Sequence, residues 1–285
     1  MITTCAACAA PLAHDAPRCV RCKTRYCNAT CQHDHWRRGH KQICKKIHRG
    51  GNAEQYNADQ KCKEAMKVAV EKCADDTKGQ TCYICTEAVH WKTKEGLVRG
   101  CACRGTAGFA HVACLAEQAK ILMEEAEENN LGDIVYASRW ERWNVCSLCE
   151  QRYHGVVRCV LGWACWKTYV GRPEVDMVRR SAMTVLGNGL GAVNQYEEQL
   201  SIIKAELATD MRWGAPGVGA TLSLKGNLAF CYSCLGRNEQ SLRLRREIWA
   251  VALAFRGRGD RLFLDALNLS CSLMKVKRFA EGKLS

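Results

Sequence analysis

This chain has no long hydrophobic run. Its most apolar stretch, Val156 to Val170, is short for a bilayer and carries Arg158 and Lys167, so no membrane span is expected. No apolar leader opens it either: Met1-Ile-Thr-Thr-Cys5 runs straight into cysteines, and such a chain is expected in a reducing, intracellular compartment, cytoplasmic or nuclear. The signatures of common catalysts are missing too. There is no Ser/His/Asp set and no pair of acids in a motif. The stretch Gly214 to Gly219 lacks the Lys-Ser/Thr that makes a phosphate loop, and reads as a connection. The cysteine total is 21, an odd number, which argues against a complete set of disulfides.

What the chain does have is cysteine in ligand spacing. The centre reads Cys82-x2-Cys85, Cys101-x1-Cys103, x7-His111-x2-Cys114 and Cys146-x2-Cys149. Each short pair suits a knuckle, a tight turn that points two ligands at one ion, and two pairs close a tetrahedron. Eight ligands in four pairs therefore predict two zinc ions. Residues 5–44 repeat the theme: Cys5-x2-Cys8, Cys19-x2-Cys22, Cys27-x3-Cys31 and His40-x3-Cys44. The x3 pairs fit one turn of helix, where residues i and i+4 share a face. His33 and His35 lie nearby, but only His40 has the x3 step to Cys44, so the other two read as an exposed helix face. The expected cofactor is thus Zn²⁺, four ions, two per finger.

The central order of four Cys, His, three Cys, with its x1 and x7 steps, resembles the RING-CH class of RING finger, notably over Gly100 to Leu115. The PHD finger shares the order but has a wider second pair and a shorter step to the histidine. The resemblance implies a cross-brace, with Cys82, Cys85, His111 and Cys114 on one ion and Cys101, Cys103, Cys146 and Cys149 on the other. The run Cys19 to Cys44, with Tyr26 before Cys27, Gln32 after Cys31, and Trp36, resembles the MYND finger. That likeness implies Cys5, Cys8, Cys27 and Cys31 on one ion and Cys19, Cys22, His40 and Cys44 on the other. Its members take proline-rich peptides, which a ring can wall at little entropic cost, and Gln32 and Trp36 match the contacting positions. The interval Cys31 to His40 is one residue longer than in many members. No signature of a SET methyltransferase, a frequent companion of MYND fingers, is present.

The formal charge of +13 counts cysteines as neutral. Fourteen thiolates and four divalent ions lower it by six, to about +7. Basic residues are also interleaved with acids in most segments, so the expectation is a solvated basic surface rather than a nucleic-acid site.

Residues 45–79 are polar and lysine-rich, and Ala65, Met66, Val68, Ala69 and Cys73 suggest a weakly amphipathic helix over Ala53 to Lys72. This reads as a helical or flexible linker, with Cys62 and Cys73 as buried or idle thiols. Leu115 to Asn129 reads as a helix with an acidic end, and the rings of Tyr136, Trp140 and Trp143 are expected to cover the knuckles. Gly155 to Val170 reads as a helix with Cys159, Cys165, Trp163 and Trp166 in its core, and Pro173 as N1 of the next.

From residue 182 the chain repeats. Asn227 to Ser241 aligns with Asn268 to Gly282 at a step of 41, and a weaker copy begins at Val185-Leu186. The pattern resembles tetratricopeptide repeats of the kinesin-light-chain kind, in which one helix pair cannot bury its apolar face alone. The last copy stops at Ser285, a few residues into its second helix. Cys231-x2-Cys234 falls mid-helix and reads as packing.

The expected fold is multidomain: two small zinc-stabilised α+β fingers of cross-brace type, then an all-α helical-repeat domain. The boundaries are 1–44 for the MYND-type finger, 45–79 for the linker, 80–154 for the RING-CH-type finger and 155–285 for the tetratricopeptide-like repeats. The resemblances imply an E3 ubiquitin ligase that holds a charged E2 enzyme through Ile84, Leu148 and a nearby ring, Trp143 or Trp140, and recruits peptides and substrate proteins elsewhere. RING-CH members often carry Trp four residues after the His-x2-Cys cysteine, where this chain has Gln118. A non-enzymatic zinc-finger scaffold is the alternative, told apart by whether Ile84, Leu148 and a Trp form one exposed patch.

Overall fold

A computed structural model describes residues 4–10, 12, 15–214 and 218–254. The copy from Asn268 to Gly282, the stop at Ser285, and residues 215–217 of the glycine-rich connection lie outside them. Two zinc-finger domains are followed by an all-helical region. The β component is slight: among the described residues it consists of three isolated bridges, Arg18 with Arg25, Val98 with Ala110, and Val145 with Arg152.

The first compact unit runs to Asn194. Helix α1, Ala29–His35, starts where the Asn28 side chain accepts the Cys31 N–H, an N-cap. A π turn, Trp36–His40, follows, kinked at Gly39, and leads into α2, Lys41–Arg49. Asn52 caps α3, Ala53–Cys73, by accepting from the Glu54 and Gln55 N–H groups at 2.8 and 3.0 Å. Helix α4, Val112–Glu128, is followed by α5, Asp133–Trp140, and one 3₁₀ turn, Glu141–Trp143. Helices α6, Gly155–Tyr169, and α7, Met177–Gly191, complete the unit. Pro173 is not N1 of α7; it sits in the preceding turn, and Asp176 caps the helix by accepting from the Arg179 N–H at 3.0 Å.

Helix α6 is buried nearly all round, with Val160, Leu161, Cys165 and Trp166 fully enclosed. Such a helix belongs in the middle of a core. It crosses α7 closely because glycines face backbone there: a Cβ at Gly189 would lie 2.8 Å from the Arg158 carbonyl, and one at Gly162 would lie 3.1 Å from that of Val185.

The segment read as a linker is a packed helix with both ends anchored. At its start, the Ala53 N–H donates to the Cys22 carbonyl at 2.8 Å, and Ala53 and Tyr56 join the core of the first finger. Along its middle, Asp59 pairs with Lys167 of α6 at 3.4 Å, and Gln55 donates to the Lys167 carbonyl. At its end, Val70 lies against Gly96 and the Cys73 thiol points at the Arg99 carbonyl, both in the central finger. Cys62 and Cys73 are buried in these contacts. Twenty-one residues at 1.5 Å each make a strut about 32 Å long between the two fingers.

The second unit begins at Gln195 and holds α8, Tyr196–Trp213, α9, Val218–Cys234, and α10, Asn238–Ala254. Leu200, Ile203, Leu224, Leu228, Cys231 and Leu244 share its core. Helices α6 and α7 thus belong with the fingers, and the compact helical unit begins forty residues beyond position 155. Cys231 is buried and Cys234 exposed, and neither joins a metal-type cluster among the described residues.

Candidate metal centres and the surfaces beside them

Four cysteine turns share one local structure. The N–H groups of Cys5, Cys19, Cys82 and Cys146 donate to the carbonyls of Ala10, Thr24, Glu87 and Gln151, at 2.8, 2.7, 3.0 and 3.0 Å. The N–H groups of Ala9, Lys23, Thr86 and Glu150 close each loop by donating back to the first cysteine's carbonyl. Those four residues have φ of 59, 63, 64 and 54°, a left-handed conformation that costs a non-glycine residue about 1–2 kcal/mol. Further N–H groups point at sulfur: Ala7 at Cys5, Ile84 at Cys82 and Leu148 at Cys146, at 3.4, 3.4 and 3.5 Å.

These turns bring the sixteen predicted ligands into four groups: Cys5, Cys8, Cys27, Cys31; Cys19, Cys22, His40, Cys44; Cys82, Cys85, His111, Cys114; and Cys101, Cys103, Cys146, Cys149. Within each group the ligand atoms lie within 4.8 Å of one another. Sulfurs stand 3.8 Å apart in the pairs Cys8/Cys31, Cys19/Cys44 and Cys103/Cys146. Four sulfurs at about 2.3 Å from a tetrahedral zinc are about 3.8 Å from each other, so the spacing fits that ion. His40 turns Nε2 to Cys22 at 3.3 Å, whereas His111 turns Nδ1 to Cys85 at 3.3 Å and to Cys114 at 3.7 Å. The Nε2 of His111 faces the Ala88 carbonyl at 3.4 Å, which fixes the ring with Nδ1 inward.

The charge balance points the same way. Burial opposes ionisation of Cys5, but the N–H groups of Ala7, Cys8 and Cys27 outweigh it and lower its pKa to about 6. Its neighbours move the other way: the bond to Cys8, with burial, pushes Cys27 up to about 12, and burial with the same neighbour pushes Cys31 to about 11. Cys149 is likewise pulled down to about 7, by the Gln151 N–H and neighbouring thiols against burial, while burial first of all raises Cys101 to about 11. Four crowded thiols do not ionise together unaided; a divalent cation among them removes the conflict.

Gly108 guards the last group. Its φ is +83°, and a Cβ there would stand 2.9 Å from the Cys103 sulfur, so only glycine fits.

Around the centres the structure sorts the predicted contact residues. Ile84 and Leu148 sit on two knuckles joined by a Tyr83–Ser147 hydroxyl hydrogen bond of 3.0 Å. Leu148 is 51 % exposed and Ile84 half-buried. Trp143 is not on that surface. It is 1 % exposed and meets Tyr169 of α6 edge-on, at 5.9 Å between ring centres, and Trp140 lies against the same tyrosine at 5.6 Å. These rings seat the finger on α6 instead of covering the knuckles. In the first finger, Tyr26 is fully enclosed, and its hydroxyl meets Nδ1 of His35, whose ring stacks on His40. His33 is exposed. Trp36, 38 % exposed, touches His40 edge-on and lies one helical turn from Gln32.

One surface escaped the sequence reading. His90 to Glu95 makes a fifth turn of the knuckle shape: His90 N–H to the Glu95 carbonyl, Lys94 N–H to the His90 carbonyl, and Lys94 at φ 59°. His90 is buried against His111, while Val89 and Trp91 on either side are 54 and 68 % exposed. The available signal was the apolar pair Val89 and Trp91 between Cys85 and Cys101, set apart from the buried Leu97 and Val98 of the same segment.

Set beside known families, residues 5–44 match the MYND finger and residues 82–149 the RING-variant domain. No curated protein gives a significant match to the chain.

Proposed function

We propose that the chain is a RING-CH-type E3 ubiquitin ligase whose central finger, about 80–154, holds a charged E2 enzyme. The observation that carries this reading is the pair Ile84 and Leu148, set on neighbouring knuckles by the Tyr83–Ser147 bond. Exposed Trp91, on the turn beside the first central ligand group, is the third apolar candidate, in the role once expected of Trp143. Four zinc ions, one per group, hold the knuckles in place; their contribution is structural. A ligase of this type carries no nucleophile. Its residues grip the E2 enzyme so that the thioester meets a substrate lysine, a gain from proximity and orientation.

The first finger, with Gln32 and Trp36, takes proline-rich peptides, and the repeats from α8 onward, of tetratricopeptide kind, bind substrate protein. No described helix is long and apolar enough to cross a membrane, and cysteines grouped as metal ligands suit a reducing, cytoplasmic or nuclear setting. A non-enzymatic scaffold is the second reading. It is favoured by Gln118 at the usual tryptophan position and by the burial of Trp143.

Discharge of ubiquitin from a panel of E2 enzymes separates the two. The ligase reading expects activity in the wild-type chain and its loss in Ile84→Ala and Leu148→Ala, with zinc content unchanged, because trimming an apolar contact leaves the thiolate bonds alone. Cys101→Ser should lose zinc and activity together. Wild-type protein that discharges no E2 enzyme above background leaves the scaffold.

A further inference from the structure

Residues 15–49 hold ten lysines and arginines against two acids, Asp15 and Asp34. On α2, Lys41, Lys45 and Arg49 recur every fourth residue and so line one stripe. Arg37 and Arg38 extend the basic surface into the π turn, directly after Trp36. All five are exposed. Some charge elsewhere in this unit is closely paired: Glu54 with Arg179, Glu125 with Arg139, Glu127 with Arg172. On this stripe it is not. Arg38 reaches Asp34 only at 3.9 Å, and Arg37, Lys41, Lys45 and Arg49 have no ion-pair partner among the described residues. With an ion in each group, seven thiolates leave three negative charges on the finger against a surplus of eight basic side chains. The surface stays positive, and its field reaches about 10 Å at 0.1 M salt.

We propose that the peptide taken by the first finger carries aspartate or glutamate beside its proline-rich core, and that these carboxylates lie along Lys41, Lys45 and Arg49. This rests on the reading of Trp36 as the peptide-binding ring. Helix α2 is about 14 Å long, the span of roughly four residues of extended peptide. A nucleic acid would also meet this charge. A peptide fits better because the stripe is one helix long and starts at an apolar ring, and because the whole chain's surplus is modest once its thiolates bind metal.

The test uses the zinc-loaded full chain and fluorescence anisotropy. The probes are a proline-rich peptide with an Asp/Glu flank, the same core with a Gln flank, the acidic flank without prolines, and single- and double-stranded DNA. Three exposed ion pairs that each multiply affinity about twofold give about eightfold, so the acidic-flanked peptide should bind about tenfold tighter than the Gln-flanked one at 0.1 M salt. The gap should close toward 1 M, where screening reaches within about 3 Å. In Lys41→Gln/Lys45→Gln/Arg49→Gln the gap should vanish, with zinc content and affinity for the Gln-flanked peptide unchanged. The salt series on the wild-type chain stands even if that variant folds poorly. Equal affinity for the two flanks overturns this inference and leaves the peptide reading intact. An acidic flank that binds as well without prolines, or a Trp36→Ala variant that binds as well as wild type, overturns both. DNA bound more tightly than any peptide, and released by the triple variant, gives the stripe to nucleic acid and also overturns it.

Discussion

At the scale of single residues, the two kinds of tryptophan in the central finger make the sharpest contrast. Trp143 is 1 % exposed against α6 and Trp91 is 68 % exposed. Removing a fully buried Trp costs about 3–5 kcal/mol, a large part of a stability of about 5–15 kcal/mol. Trp143→Ala should therefore lower the denaturation midpoint strongly, whereas Trp91→Ala should leave it nearly unchanged and weaken E2 binding. Equal midpoints for the two variants would show that the packing on Tyr169 carries little energy. The sixteen ligand positions were legible in the sequence because a tetrahedron needs pairs at fixed short spacing. Which ring nitrogen each histidine presents, and the inward turn of Trp143, were not. Both depend on partners distant in sequence, the Ala88 carbonyl for His111 and Tyr169 for Trp143.

At the scale of elements, α3 changes the picture of the molecule most. Its existence and length were legible from the apolar spacing between Ala65 and Cys73, but its role was not, because a polar, lysine-rich segment reads as a spacer. What makes it a strut is a set of contacts that no local pattern shows: Ala53 on Cys22, Asp59 on Lys167, Val70 on Gly96. Lys63 is exposed near its middle. Lys63→Pro removes one helical hydrogen bond and clashes with the preceding turn, at about 3 kcal/mol. With spin labels on the two fingers, the wild-type chain should give one narrow distance and Lys63→Pro a broad one. An unchanged distribution would mean that contacts other than α3 fix the fingers. The knuckle turns teach the converse lesson. Their left-handed residues are Ala9, Lys23, Thr86 and Glu150, none of them glycine, so composition gave no hint of the backbone; the cysteine spacing did.

At the scale of the whole molecule, the chain divides at Asn194 into one unit that contains, among the described residues, every metal-type group and another built on an apolar helical core. The repeat pattern called for helices, which the described residues of that region form, but it could not show that α6 packs with the fingers, since that depends on Tyr169 meeting Trp140 and Trp143 and on Lys167 pairing with Asp59. All functional readings of the first unit depend on metal filling those groups. Each structural zinc is worth about 10 kcal/mol of apparent binding free energy. The most direct test is elemental analysis of freshly purified protein, followed by titration with a strong chelator while helicity and tryptophan fluorescence are recorded. The account predicts four zinc ions per chain, held by fourteen cysteines and two histidines, and loss of the fingers on chelation while the helices beyond Gln195 persist. Two zinc ions or fewer per chain, or fingers that remain folded once stripped of metal, would contradict it.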